Sequence, residues 1–177
     1  MDSLGVNKPI VLVGLMGSGK STIGYRLAKK LRLSFVDTDN LVEERVGCSI
    51  SEMYKYAGEE FFNAKEKEVL EEVLAGKPCV ISTGGGTFLV EKNRKLILDM
   101  AVSVWLKADF SIILERVSRR NTRPLLEVGD KSQTVKALID ESYPVYALAD
   151  IHINSDEGPH MLIVDGLIQK LKCLEKK

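Results

Sequence analysis

Gly14-Leu15-Met16-Gly17-Ser18-Gly19-Lys20-Ser21-Thr22 fits the pattern Gly-x-x-x-x-Gly-Lys-[Ser/Thr], and its flanks are those a phosphate-binding loop requires. Before it runs Pro9-Ile10-Val11-Leu12-Val13, suited to a buried parallel strand. After it, Ile23 to Leu31 carries apolar residues at helical spacing. Glycines let successive backbone N–H groups turn inward around a polyphosphate, and the helix that starts there adds the positive end of its dipole. Gly17, Ser18, Gly19, Lys20, Ser21 and Thr22 are therefore the expected phosphate cradle. Lys20 would supply a point charge at the β- and γ-phosphates, and the Ser21 hydroxyl a ligand for Mg²⁺.

The totals narrow the class. The chain has 177 residues, 45% of them apolar and 28% charged, with 25 basic against 25 acidic side chains. That length and composition suit one soluble domain, residues 1–177, with a full core. Zero net charge gives no electrostatic pull toward nucleic acid or anionic membrane. No apolar run approaches the roughly 20 residues of a membrane span, and Met1 to Lys8 lacks the shape of a secretion signal. Cys48, Cys79 and Cys173 are odd in number and widely spaced, which suits reduced thiols in a cytoplasm rather than disulfides or a zinc site. A cytoplasmic monomer acting on a small molecule is expected.

Later segments repeat a strand–loop–helix rhythm. Leu33 to Val36 reads as a strand running into Asp37-Thr38-Asp39. Carboxylates at i and i+2 on a strand end can hold Mg²⁺ or a substrate hydroxyl, while Thr38 or Asp39 would also cap a helix from about Leu41. Ser49 with Glu52 resembles a capping box. Gly58 interrupts, and Glu59 to Leu74 reads as an amphipathic helix with Phe62, Val69, Leu70 and Val73 inward. Cys79 to Ser82 is a strand ending in Thr83-Gly84-Gly85-Gly86-Thr87. Three consecutive glycines at a parallel-strand end suit close approach of backbone to a ligand.

Ala101 to Leu106 is a fourth strand, with Trp105 in packing. Asp109 would cap the next helix, and Arg116 reads as a solvated helix C-terminus. Arg119, Arg120 and Arg123, running out toward Pro124, look like phosphate contacts from a mobile lid over about 119–131. Tyr143-Pro144 would kink or end a helix. Ile151 to Ile153 is a fifth strand, with His152 pointing away from its neighbours. Pro159 to Leu174 closes the chain, with Leu162, Ile163, Leu167, Ile168 and Leu171 inward. Short right-handed crossovers then give a three-layer, doubly wound α/β fold with a five-stranded parallel sheet. The loops converge on one sheet edge, where a nucleoside triphosphate and a second small substrate would meet. The absence of an Asn-Lys-x-Asp motif argues against a GTPase.

Taken in order, Gly14 to Thr22, Phe35-Val36-Asp37-Thr38-Asp39, Gly58-Glu59-Glu60-Phe61-Phe62, Ser82 to Gly86, Arg123-Pro124-Leu125-Leu126 and Pro144-Val145-Tyr146 with Ala149-Asp150 resemble the shikimate kinase family over nearly the whole chain. The resemblance implies a P-loop kinase of the nucleoside-monophosphate-kinase type that uses ATP and Mg²⁺ to phosphorylate the shikimate 3-hydroxyl. By position, Lys20, Asp39 and Arg123 would be catalytic, with Lys20 and Arg123 on the transferring phosphate. Ser21 and Asp37 would serve Mg²⁺, Arg120 the nucleotide, and Asp39, Gly84, Gly85 and Gly86 the substrate hydroxyls. The helical region of about 40–76 would bind substrate. Two positions depart. The arginines expected to clamp the shikimate carboxylate are here Asn63 and Ser142, while Glu66 is retained. Arg120, Lys136 or neutral donors would then hold the carboxylate. The alternatives are a kinase of the same fold acting on a sugar or polyol, or a non-catalytic nucleotide-binding relative.

Overall fold

The computed structural model describes residues 7–119, 130–155 and 158–174. Within them lie five strands, β1 (Ile10–Val13), β2 (Ser34–Asp37), β3 (Cys79–Ser82), β4 (Val102–Lys107) and β5 (Ile151–Asn154). The helices are α1 (Lys20–Leu31), α2 (Thr38–Val46), α3 (Ile50–Tyr56), α4 (Gly58–Ala75), α5 (Glu91–Met100), α6 (Phe110–Ser118), α7 (Lys131–Tyr146) and α8 (His160–Leu174). The strands form one sheet in the order β2-β3-β1-β4-β5, and every neighbouring pair is parallel. The three-layer, doubly wound α/β arrangement is thus the P-loop kinase type expected.

Side-chain alternation along β1 sorts the core into two layers. Ile10 and Leu12 pack with Ile23 and Leu27 of α1 and Val164, Leu167 and Leu171 of α8. Val11 and Val13 pack with Leu70, Ile97, Ile113, Val135 and Tyr146 on the other face. Trp105 belongs to this second layer, as its sequence context suggested. A smaller cluster of Val42, Met53, Phe62 and Val69 holds α2, α3 and α4 together as a helical arm beside the sheet.

Several element ends differ from the sequence reading. Helix α2 begins at Thr38, and its cap is Asp37, whose carboxylate accepts the Asn40 N–H at 3.5 Å; Thr38 and Asp39 are already helical. The capping box of Ser49 and Glu52 is present as expected. Asp109 occupies the cap position of α6 but accepts no capping hydrogen bond. Pro144 neither ends nor breaks α7, which continues to Tyr146. Leu162 is 67% exposed rather than inward. The buried phase of α8 is set by Val164, Leu167 and Leu171, and Leu162 lies about 200° around the helix from Val164.

One glycine fixes how α1 meets the sheet. A Cβ at Gly24 would lie 2.7 Å from Phe35 Cε2 and 3.0 Å from Leu12 Cδ1. Gly24→Ala should therefore lower stability, because overpacking of about 1–3 kcal/mol outweighs the roughly 1 kcal/mol that alanine gains in helix propensity. Thermal unfolding followed by circular dichroism checks the sign. A raised melting temperature would mean that Phe35 and Leu12 yield freely.

Candidate active site

The phosphate loop leaves the carboxyl end of β1 with Gly14 at φ 138°, Gly17 at 79° and Gly19 at 97°, conformations open to glycine. Space is as restrictive as angle at Gly14, where a Cβ would sit 2.7 Å from the Leu106 carbonyl oxygen. Gly19 stands at the N-cap of α1 without a side-chain cap, so the first N–H groups of that helix face the loop. Lys20 is buried, and its ammonium donates to the Gly14 and Leu15 carbonyls at 2.7 and 3.0 Å. Ser18 Oγ is buried within the loop without a hydrogen bond among the described residues. Ser21 Oγ donates to Asp37 Oδ2 at 2.7 Å and lies 3.3 Å from Ser82 Oγ.

This donor set suits the groups that the resemblance implies. Ser21 and Asp37 offer a hydroxyl and a carboxylate oxygen side by side, the chemistry Mg²⁺ prefers when phosphates and water complete its shell. No cluster of three or more His, Cys, Asp or Glu side chains exists among the described residues, so a closed protein cage is not what they offer. The unsatisfied Ser18 hydroxyl and the bare start of α1 fit a polyphosphate.

The second half of the site is acidic. Asp39 follows the α2 cap, Glu66 comes from α4, and both converge on the loop after β3. A Cβ at Gly84 would lie 2.8 Å from Asp39 Oδ1 and 3.0 Å from Glu66 Oε1, so these oxygens lie within 6 Å of each other. Thr87 Oγ1 donates to Glu66 Oε1 at 2.6 Å. Burial pushes the Glu66 carboxyl up to about 7, the neighbouring Asp39 charge adds to this, and the Thr87 hydrogen bond opposes it. A Cβ at Gly85 would be 3.5 Å from Met16 N and 3.9 Å from Gly14 O, so the glycine loop lies directly against the phosphate loop. Thr38 Oγ1 donates to Ser82 O at 3.3 Å, joining the β2 and β3 ends.

The structure thus brings together Gly14 to Ser21, Asp37, Asp39, Gly84 and Gly85. Thr22 is half-buried in the first turn of α1 and Gly86 is exposed. Asn63 is exposed on α4, and Ser142 is only 1% exposed on α7. Lys65 pairs with Glu68 at 2.8 Å, so it does not replace the missing arginine. Lys136 is exposed on α7. Arg120 and Arg123, with nearly all of the expected lid, lie outside the described residues.

Arg116 corrects the sequence reading. It is no solvated helix terminus: its guanidinium donates to Gly17 O at 3.0 Å and to Ser155 O at 3.3 Å. Ser155 Oγ in turn donates to Ser18 O at 2.5 Å. Arginine near a helix end gave no local sign of this reach, and nothing in the sequence marked Ser155. His152 is exposed, near Ala149 O at 3.1 Å and edge-on to Trp105.

Glu66 gives a test by linkage. The folded protein holds this proton up to about pH 7, whereas an unfolded glutamic acid releases it near pH 4.3. Between those values the folded state binds more protons, so stability falls as pH rises from about 4.5 to 7 and is level above. The loss is on the order of 3 kcal/mol. Glu66→Gln should abolish this slope in denaturant titrations run from pH 4.5 to 8. Asn63→Arg, one turn away on the same helix, should flatten it by favouring the ionised carboxylate. A slope unchanged in Glu66→Gln would assign it to another group.

Comparison with known proteins agrees with this geometry. The family model for shikimate kinase matches residues 16–172. A shikimate kinase from Bradyrhizobium diazoefficiens is 46% identical over 94% of this chain and 80% of its own. The solved structure of Acinetobacter baumannii shikimate kinase in complex with shikimate superimposes with a TM-score of 0.91 and 31% identity, covering 97% of this chain and 96% of that one. Aquifex aeolicus shikimate kinase gives 0.83 and 34%, over 93% and 96%. With the phosphate loop, the Asp37 and Asp39 pair and the triple glycine all on one sheet edge, the chain belongs to the shikimate kinase family.

Proposed function

We propose that the chain transfers the γ-phosphate of ATP to the 3-hydroxyl of shikimate, giving shikimate 3-phosphate and ADP. The observation that carries this reading is the shared wall of the site. Gly85 lies against Met16 and Gly14 of the phosphate loop, while its neighbour Gly84 lies against Asp39 and Glu66. An acceptor hydroxyl beside Asp39 is then next to the phosphate that Lys20 neutralises. Phosphoryl transfer asks for such in-line placement and charge neutralisation more than for covalent help. As the acceptor oxygen bonds to phosphorus and the bond to the ADP oxygen breaks, Asp39 takes the hydroxyl proton. Lys20, and Arg123 by the family pattern, offset charge on the moving group. Mg²⁺ held by Ser21 and Asp37 would neutralise phosphate oxygens. Residues of about 119–131 serve as a lid carrying Arg120 and Arg123, and about 40–76 as the acceptor arm. No helix of the described residues is long and apolar enough to cross a membrane, and the three cysteines are free; we read the protein as a cytoplasmic monomer.

A second reading keeps the kinase chemistry and changes the acceptor. The pocket presents two carboxyl groups, Asp39 and Glu66, and no cation at positions 63 and 142, a setting that suits a neutral sugar or polyol. The intact phosphate loop and the Ser21–Asp37 pair oppose a non-catalytic relative.

ADP release with ATP and Mg²⁺ should depend on shikimate. Lys20→Ala should remove it. Asp39→Asn should lower kcat by about 10²–10⁴ and leave the ATP dissociation constant nearly unchanged. Release that follows a sugar or polyol instead of shikimate would establish the second reading; release at near-normal rate in Asp39→Asn would overturn the role of Asp39. Asn63→Arg should lower the shikimate KM about tenfold or more, the scale of one added charged hydrogen bond. For the lid, amide exchange over 119–131 should slow on adding nucleotide, and equal exchange with and without it would remove the lid from the reading.

A further inference from the structure

Helix α7 ends on Tyr146, which is completely buried among Phe88, Trp105 and Tyr143. Its hydroxyl donates to the Gly85 carbonyl at 2.5 Å. In a trans peptide the carbonyl of one residue and the N–H of the next point in opposite directions, and no peptide bond among the described residues is cis. Holding Gly85 O toward α7 therefore turns the Gly86 N–H away from it. Gly86 itself is exposed, and a Cβ there would meet nothing within 4 Å. The neighbouring groups are already used, Thr87 N–H by Gly84 O at 3.4 Å and Gly86 O by Leu89 N–H at 3.0 Å. No described group accepts from Gly86 N–H.

We infer that Tyr146 is a positioning residue for the acceptor: by fixing the Gly85–Gly86 peptide, it aims the Gly86 N–H into the site as a hydrogen-bond donor to an acceptor oxygen. The inference rests on the shikimate kinase reading for the identity of that acceptor. A buried phenol suits the task, because it packs as an aromatic while its one polar atom must find a partner. Burial also raises its pKa, so the donor proton stays in place throughout the working pH range. Tyr146 stands one helical turn beyond Ser142, the position at which an arginine was expected, and its phenol lies close to the Ser142 side chain. Where the charged clamp is missing, neutral backbone donors carry more of the acceptor binding, and their aim matters correspondingly more.

The experiment compares Tyr146→Phe with Tyr143→Phe. Tyr143 lies on the same helix and donates its hydroxyl to the Ala108 carbonyl, so its substitution removes a bond of the same kind away from the glycine loop. Both variants keep the aromatic packing. Tyr146→Phe should raise the shikimate KM about tenfold, the scale of one lost hydrogen bond, with the ATP KM within about twofold of wild type. Tyr143→Phe should leave both KM values near wild type even where its melting temperature falls as far. Equal effects of the two variants, or an unchanged shikimate KM in folded Tyr146→Phe, would overturn the inference. The residual dipolar coupling of the Gly86 N–H reads peptide orientation without turnover. It should change in Tyr146→Phe alone, and an unchanged coupling would overturn the inference whichever acceptor the enzyme uses. Absence of shikimate turnover in the wild type would instead count against the acceptor assignment.

Discussion

The rest of the site depends on the contact between Gly14 and the Leu106 carbonyl. The phosphate loop can leave β1 pressed against β4 only because residue 14 has no Cβ and a positive φ. From that start the loop turns under Gly85 on one side and under Arg116 and Ser155 on the other. Carbonyls of the loop are drawn outward to these partners, Gly17 O to Arg116 and Ser18 O to Ser155. Peptide planarity then favours N–H groups facing inward, where an anion gains most from them. The phosphate loop is thus braced through its backbone carbonyls by side chains outside it.

The acceptor side follows a different physical logic. Asp39 and Glu66 are close, Glu66 is only 3% exposed, and two nearby carboxyl groups disfavour joint ionisation. An arginine on the same helix face would neutralise this pair; asparagine does not. Burial first, with the Asp39 charge adding to it, makes Glu66 hold its proton to about pH 7, and Thr87 donates a hydrogen bond to it. An arginine introduced at position 63 would therefore bear on the protonation of Glu66. Ser142 carries a small hydroxyl and is only 1% exposed on α7.

Much of this was legible from the chain alone, for reasons that are local. The strand–glycine loop–helix run of Ile10 to Leu31, the capping box at Ser49 and the bounds of β3 rest on short-range geometry, which a sequence carries within a few residues. Misreadings occurred where neighbours in space decided the outcome. Asp37 caps α2 although Thr38 and Asp39 were equally plausible by type. Leu162 turns outward because α8 is rotated by the contacts of Val164, Leu167 and Leu171. Pro144 lies in the last turn of α7, which continues past it to Tyr146.

By itself the sequence determined the fold class, the phosphate loop with Lys20 and Ser21, the Asp37-Thr38-Asp39 run and the glycine loop at Gly84 to Gly86, because each motif is a contiguous run of residues whose chemistry and spacing are local. Only the tertiary structure decided that Glu66 stands beside Asp39 with Thr87, that Arg116 and Ser155 brace the phosphate loop, and that Tyr146 holds Gly85. Those contacts span 21 to 137 positions of chain. Their physical cause is the parallel sheet, which delivers the ends of β1, β3, β4 and β5 to one edge and so makes neighbours of residues that no local pattern connects.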